Sequence, residues 1–226
     1  MNPSDNRTPH LAAVYDEQVR NTIPYYDHFH QETVAAVKAA GINPHSWLDT
    51  GCGTDSLVML AQAAFPEARF QLADPSVEML AIAQSKLNGC ERVRFLAPTA
   101  TQDLELTDPV DVVTAIQAHH YLAPELRRQA TRVCYRLLRK NGIYITFENI
   151  RPFTDAGLAI GKQRWAAFQA DCGKDEAAVQ KHLARIDFEF FPITVGAHLG
   201  LLRECGFKSV ELLWYSCMQA GFLAVK

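Results

Sequence analysis

Residues 47–55 read WLDTGCGTD, and this stretch decides how the rest of the chain is read. An apolar run ends on an acid, Asp49; a turn containing Gly51 and Gly53 follows; a helical run opens at Ser56. Strand, glycine turn and helix in that order aim backbone N–H groups and a helix N-terminus at one place, as a nucleotide-type cofactor requires. Gly51 and Gly53 permit the tight turn and the close approach of a ligand. Asp55 stands where a third glycine is expected.

Outward from this loop, strand-like and helical runs alternate. SWLDT (46–50) is followed by a helical run from Ser56 to Phe65, by ARFQLA (68–73), by a helical run from Ser76 to Leu87 and by RVRFLA (92–97). VDVVTAI (110–116), a helix from Pro124 to Lys140 and the strand IYITFEN (143–149) complete the series. The helix from Pro124 has proline in its first turn, Leu126, Ala130, Val133 and Leu137 on one stripe, two basic residues at its end and Gly142 just beyond. Such alternation predicts an α/β fold with a Rossmann-like, doubly wound, mainly parallel sheet, which binds ligands at its strand ends.

The two ends of the chain break the rhythm. Residues 1–44 read as an N-terminal helical cap, interrupted at Pro24 and carrying the cluster IPYYDHFH (23–30); residues 45–150 form the cofactor-binding core. Residues 151–192 read as a helical lid insertion, two helices separated by DCGKD (171–175). In residues 193–226 a helix stopped by Gly206 precedes SVELLWYS (209–216) and GFLAVK (221–226), an antiparallel hairpin that completes the core.

A length of 226 residues suits one α/β core with a small lid. With 48% hydrophobic and 21% charged residues, the composition is that of a folded soluble protein, and no run is long and apolar enough to span a bilayer. The start MNPSDNRTPH lacks the apolar core of a secretion signal, so the expected location is the cytoplasm. Six cysteines without C-x-x-C spacing argue against a zinc ribbon, a thioredoxin-type site or a disulfide framework. No histidine pair at helical spacing has acidic partners, so no metal is expected. A formal charge of −3 offers a phosphate backbone no global attraction, which favours a small-molecule partner over nucleic acid; the oligomeric state stays open.

Asp74 sharpens the cofactor assignment. It ends the second strand, where a carboxylate accepts hydrogen bonds from both hydroxyls of a ribose. A dinucleotide dehydrogenase would need glycine at Ser56 and does not usually carry an acid such as Asp49 before the turn. With LDTGCGT, LADPSVEML, VDVVTAIQAHHYL and RKNGIYITFEN in this order, residues 45–150 resemble the class I S-adenosylmethionine-dependent methyltransferases. The resemblance implies a seven-stranded sheet with a reversed C-terminal hairpin, S-adenosyl-L-methionine as cofactor and methyl transfer to a small-molecule acceptor. IPYYD at the front and HLGLLRECGF, ELLWYS and GFLAVK at the end are similar to the carboxy-S-adenosylmethionine synthase branch, which makes a carboxylated cofactor from prephenate. In that comparison Arg185 is the counterpart of a carboxylate-binding arginine. A non-catalytic adenosyl-ligand-binding regulator is a further alternative.

The expected cofactor residues are Asp49, Gly51, Cys52, Gly53, Asp74, Pro75, Gln117 and Tyr25, with Thr99 and Ala100 at the adenine. Many relatives have Gly-Asp-Ala where this chain has PTA, so Thr99 replaces the carboxylate that receives the adenine amino group. Asp55 reads either as a helix cap or as a charge that tunes the cofactor's affinity or identity. Methyl transfer needs alignment and exclusion of water, and a base only if the acceptor must lose a proton. His119, His120 and Tyr26 are the catalytic candidates; the two adjacent histidines diverge, so both are not expected to face the site. Glu148, Asn149, Arg151, Trp165 and Arg185 are the expected substrate-binding residues. Packing or capping is the alternative for each of these side chains.

Overall fold

The computed structural model describes residues 7–226; residues 1–6 of the expected N-terminal cap lie outside the described residues. Seven strands are present among the described residues: β1 Ser46–Thr50, β2 Arg69–Ala73, β3 Val93–Phe95, β4 Val110–Ile116, β5 Leu138–Asn149, β6 Ser209–Ser216 and β7 Gln219–Val225. They form one sheet in the order β3-β2-β1-β4-β5-β7-β6. The first five strands run parallel, and β7 lies antiparallel between β5 and β6. The expected reversed hairpin is therefore present.

The helices are α1 Tyr15–Arg20, α2 Tyr26–Ala39, α3 Ser56–Ala64, α4 Val77–Lys86, α5 Pro124–Leu137, α6 Asp155–Asp171, α7 Glu176–Leu183 and α8 Val195–Glu204. Central strands read as near-continuous apolar runs because helices cover both faces of a parallel sheet. On one side α2, α3, α6 and α7 pack around Phe29, Trp47, Phe147 and Trp165. On the other, α5 and α8 pack around Leu48, Tyr144 and Phe222. No described helix is long and apolar enough to cross a membrane.

The largest boundary difference from expectation lies between α5 and β5. The helix begun at Pro124 ends at Leu137, not Lys140, and residues 138–142 already belong to β5. Leu138 is extended, with φ −74° and ψ 142°. A Cβ added at Gly142 would lie 2.9 Å from the Arg139 carbonyl and 3.0 Å from that of Asp111, so this segment is pressed against β4. Arg139 pairs with Asp111 at 2.9 Å instead of closing a helix. Tertiary packing outweighs the helical end signals.

The strand order reverses between β1 and β4, and a parallel sheet opens a crevice at such a point.

Candidate cofactor site

A cavity of about 280 Å³ occupies that crevice. The turn after β1 lines it, with Gly51 at φ +64° and Gly53 at φ +56°. Asp74, at the end of β2, is anchored by this turn: its Oδ2 accepts the Gly53 N–H at 2.9 Å and its Oδ1 accepts the Ser76 N–H at 2.8 Å. A carboxylate accepts up to about four hydrogen bonds, so this anchoring is compatible with a role in holding ribose hydroxyls. Ser76 in turn caps α4 by accepting the Met79 N–H at 3.1 Å.

Two further carboxyls lie around the turn. Asp49 is buried and its Oδ1 accepts the Thr114 hydroxyl at 2.6 Å. Burial, assisted by Asp55 and Asp74, pushes its pKa well above the carboxylate range, although Thr114 opposes the shift. Asp55 adopts the left-handed conformation at φ +64° and caps α3, its Oδ1 accepting the Val58 N–H at 3.1 Å. Its Oδ2 is buried without a partner among the described residues. Burial raises its pKa to about 7 against the Val58 hydrogen bond and the nearby Lys86. Asp49 and Asp55 are thereby held toward their neutral forms, and Asp74 is the carboxyl that lines the cavity.

The opposite wall comes from the end of β4. Gln117 has φ +56°, is buried, and carries an Nε2 without a partner among the described residues. His119 also lines the cavity; Nε2 lies 3.3 Å from Thr101 Oγ1 and Nδ1 lies 3.2 Å from the Tyr144 hydroxyl. Burial lowers its pKa to about 4, so the ring is neutral at physiological pH.

His120 turns the other way, placing Nδ1 2.7 Å from Glu148 Oε2. Glu148 also accepts the backbone N–H groups of His119 at 3.1 Å and His120 at 2.9 Å, and the Thr146 hydroxyl at 2.6 Å. Burial would raise this carboxyl, but its hydrogen bond to His120 and the neighbouring histidines outweigh burial and hold it at about 2. The Asn149 amide lies 3.1 Å from His120 Nε2. Glu148 and Asn149 thus organise the β4–α5 connection from behind the cavity wall.

Of the candidates named from the sequence, Tyr26, Gly51, Cys52, Gly53, Asp74, Pro75, Ala100, Gln117 and His119 line the cavity. The others are placed elsewhere. Asp49 is buried and is not a lining residue; Thr99 turns its hydroxyl to the Ala97 carbonyl at 2.7 Å. Tyr25 is 51% exposed and packs edge-on against Trp214. Arg151 pairs with Asp187 at 2.8 Å, and Trp165 is a core residue whose Nε1 donates to the Thr22 carbonyl at 2.6 Å. Arg185 bonds Glu189 and the Arg7 carbonyl, both at 2.7 Å, and retains a buried Nη1 without a partner among the described residues.

Sequence reasoning missed Arg7, Thr8, Tyr15, Thr101 and Gln102 as lining residues. Thr101 and Gln102 directly follow Ala100, an expected adenine contact. Arg7, Thr8 and Tyr15 come from a segment that folds over the cavity, and no local pattern marks them.

Comparison with known proteins agrees with this geometry. Residues 48–142 match the family model of a methyltransferase domain. Over 96% of the chain, the sequence is 23% identical to the carboxy-S-adenosyl-L-methionine synthase of Methylococcus capsulatus and 26% identical to that of Wolinella succinogenes, covering 91% of each. The fold matches a SAM-bound amino pentose methyltransferase of Micromonospora echinaspora with a TM-score of 0.68 at 16% identity, over 94% of this chain and 96% of that one. It also matches human N-acetylserotonin methyltransferase in complex with SAM, with a TM-score of 0.64 at 14% identity; 95% of this chain spans 58% of that larger protein. The chain is an enzyme that carries a methyltransferase domain at residues 48–142 on the fold of the S-adenosylmethionine-dependent methyltransferases, and it is similar along its length to carboxy-S-adenosyl-L-methionine synthases.

Proposed function

We propose that the enzyme binds S-adenosylmethionine in the β1/β4 cavity and, as the synthases named above make carboxy-S-adenosylmethionine, moves a carboxyl group from prephenate to the methyl carbon, whose proton leaves as water with the hydroxyl that the donor loses on becoming aromatic. The observation that carries this proposal is Arg185. A guanidinium whose buried Nη1 has no partner among the described residues, joined through Nη2 to the carbonyl of the cavity-lining Arg7, is suited to receive a carboxylate. The similarity to the synthases extends over nearly the whole chain and supports the same reading.

In this proposal Asp74 accepts the ribose hydroxyls, the backbone of residues 51–53 holds the amino-acid end, and Ala100 offers its N–H to the adenine. The positive end of the cofactor would draw Asp49 and Asp55 toward their charged forms. Gln117 supplies a donor at the cavity wall, while Tyr15 and Tyr26 exclude water. When bound, the cofactor supplies an activated methyl group; the protein aligns it and keeps the site dry.

Methyl transfer to a small-molecule acceptor is the second reading, and His119 favours it. Its neutral imidazole on the cavity wall is placed to orient an acceptor, and because burial makes it a weak base this reading suits an acceptor that need not lose a proton. Work in the cytoplasm is part of either proposal, supported by six free thiols.

The deciding experiment is mass spectrometry of the cofactor after incubation with S-adenosylmethionine and prephenate. A prephenate-dependent carboxylated product, lost in Arg185→Gln while S-adenosylmethionine still binds, supports the synthase reading. S-adenosylhomocysteine formed only with an added acceptor mixture supports methyl transfer instead.

A further inference from the structure

The segment that covers the cavity is held at its two ends. At one end Arg7 donates to the Tyr121 carbonyl at 3.1 Å, while its own carbonyl accepts from Arg185 at 2.7 Å. At the other, three elements distant in sequence meet on the Asp16 carboxylate. Thr54, in the cofactor loop, donates its hydroxyl to Asp16 Oδ1 at 2.6 Å. Lys86, at the end of α4, pairs with Asp16 Oδ2 and donates from the same ammonium to the Thr54 carbonyl at 3.0 Å.

Asp16, Thr54 and Lys86 therefore form a closed triangle in which each residue bonds the other two. Asp16 adjoins Tyr15, a cavity-lining residue, and Arg7 and Thr8 on the same segment also line the cavity. Arg20 braces α1 from the other side, donating to the Asp16 carbonyl and pairing with Asp27 of α2 at 2.8 Å. While Asp16 is held by the loop and by α4, Tyr15 is restrained over the cavity.

We propose that Asp16, Thr54 and Lys86 form a latch that keeps residues 7–20 closed over the bound cofactor, with Asp16 as its positioning residue. The proposal rests on the assignment of the cavity to an adenosyl compound. Nothing in the latch touches the reacting atoms; it sets how fast the ligand leaves. Its side chains come together only when the segment is down, so closure both covers the ligand and orders the loop beneath it.

The test is the dissociation rate of S-adenosylhomocysteine from the full chain, measured alongside hydrogen exchange of the ligand-free protein. Asp16→Asn and Lys86→Met are each expected to speed dissociation about tenfold, the equivalent of one charge-assisted contact. Because both remove the same ion pair, the double variant should be no faster than Lys86→Met alone, which also removes the bond to the Thr54 carbonyl. Lys86→Arg should retain slow release, and Asp16→Ala should be the fastest. Exchange should rise in residues 7–20 while β1 and β4 stay protected.

Unchanged dissociation and unchanged exchange in Asp16→Asn and Lys86→Met would overturn the latch. If the wild-type protein binds no adenosyl compound, the cavity assignment fails, and exchange in residues 7–20 still decides whether the latch exists. Should Asp16→Ala lose protection throughout the sheet, Lys86→Met becomes the deciding variant, because Lys86 is 25% exposed at a helix end.

Discussion

A Cβ placed on Gly51 would lie 2.5 Å from the Cβ of Ala118. The cofactor turn and the end of β4 thus pack with no room for one additional methyl group, and this contact sets the width of the crevice between them. Gly51→Ala is expected to displace the turn and weaken S-adenosylhomocysteine binding at least about tenfold by calorimetry. Adding Ala118→Gly should recover part of the loss, leaving the left-handed backbone cost of about 1 kcal/mol. Wild-type affinity in the single variant would show that the turn adjusts freely.

The anchored carboxylate of Asp74 gives a second prediction. Asp74→Ala should reduce cofactor affinity by at least about tenfold, since it removes the proposed acceptor for the ribose and frees the Gly53 and Ser76 N–H groups. Far-UV circular dichroism should be preserved. Asp74→Asn retains one carbonyl oxygen and should lose less. Unchanged affinity in Asp74→Ala would reject the ribose role.

Asp55 should make stability depend on pH. Its pKa rises from 3.8 to about 7 on folding, so its contribution is fully present below pH 3.8 and is lost as pH increases through about 7. Asp55→Asn keeps an acceptor for the α3 cap and carries no charge. Its Tm advantage over wild type should be absent near pH 4 and grow to a plateau above pH 7. A difference that stays constant from pH 4 to 8 would show that the carboxyl does not titrate in this interval.

Glu148 and Arg151 lie three residues apart and should respond very differently. Glu148 is fully buried and satisfies two backbone N–H groups, a hydroxyl and a histidine. Glu148→Ala leaves those donors unpaired and should cost about 3–5 kcal/mol in urea unfolding. Arg151 and Asp187 form an exposed pair, and Arg151→Ala should change stability by less than about 1 kcal/mol. Comparable losses in the two variants would refute the role given to the Glu148 network.

Much of the core was legible because its causes are local. Glycine at 51 and 53 marks a turn that needs positive φ, and the apolar runs from β1 to β5 mark a sheet covered on both faces. Asp74, singled out for its place after the second strand, lines the cavity, and Asp55 performs the capping role open to it from its place at a helix start. Other features depended on partners far away in the chain. His119 faces the cavity and His120 does not because Glu148, on β5, bonds both backbone N–H groups and draws His120 inward. Arg7 and Tyr15 reach the cavity only through folding of the N-terminal segment over it, where Asp16 meets Thr54 and Lys86. The end signals at Arg139 and Lys140 were overridden by packing of β5 against β4. Backbone sterics and hydrophobic period, which act over a few residues, determined the strand–turn–helix frame from sequence; buried hydrogen bonds between distant segments decided which side chains face the ligand.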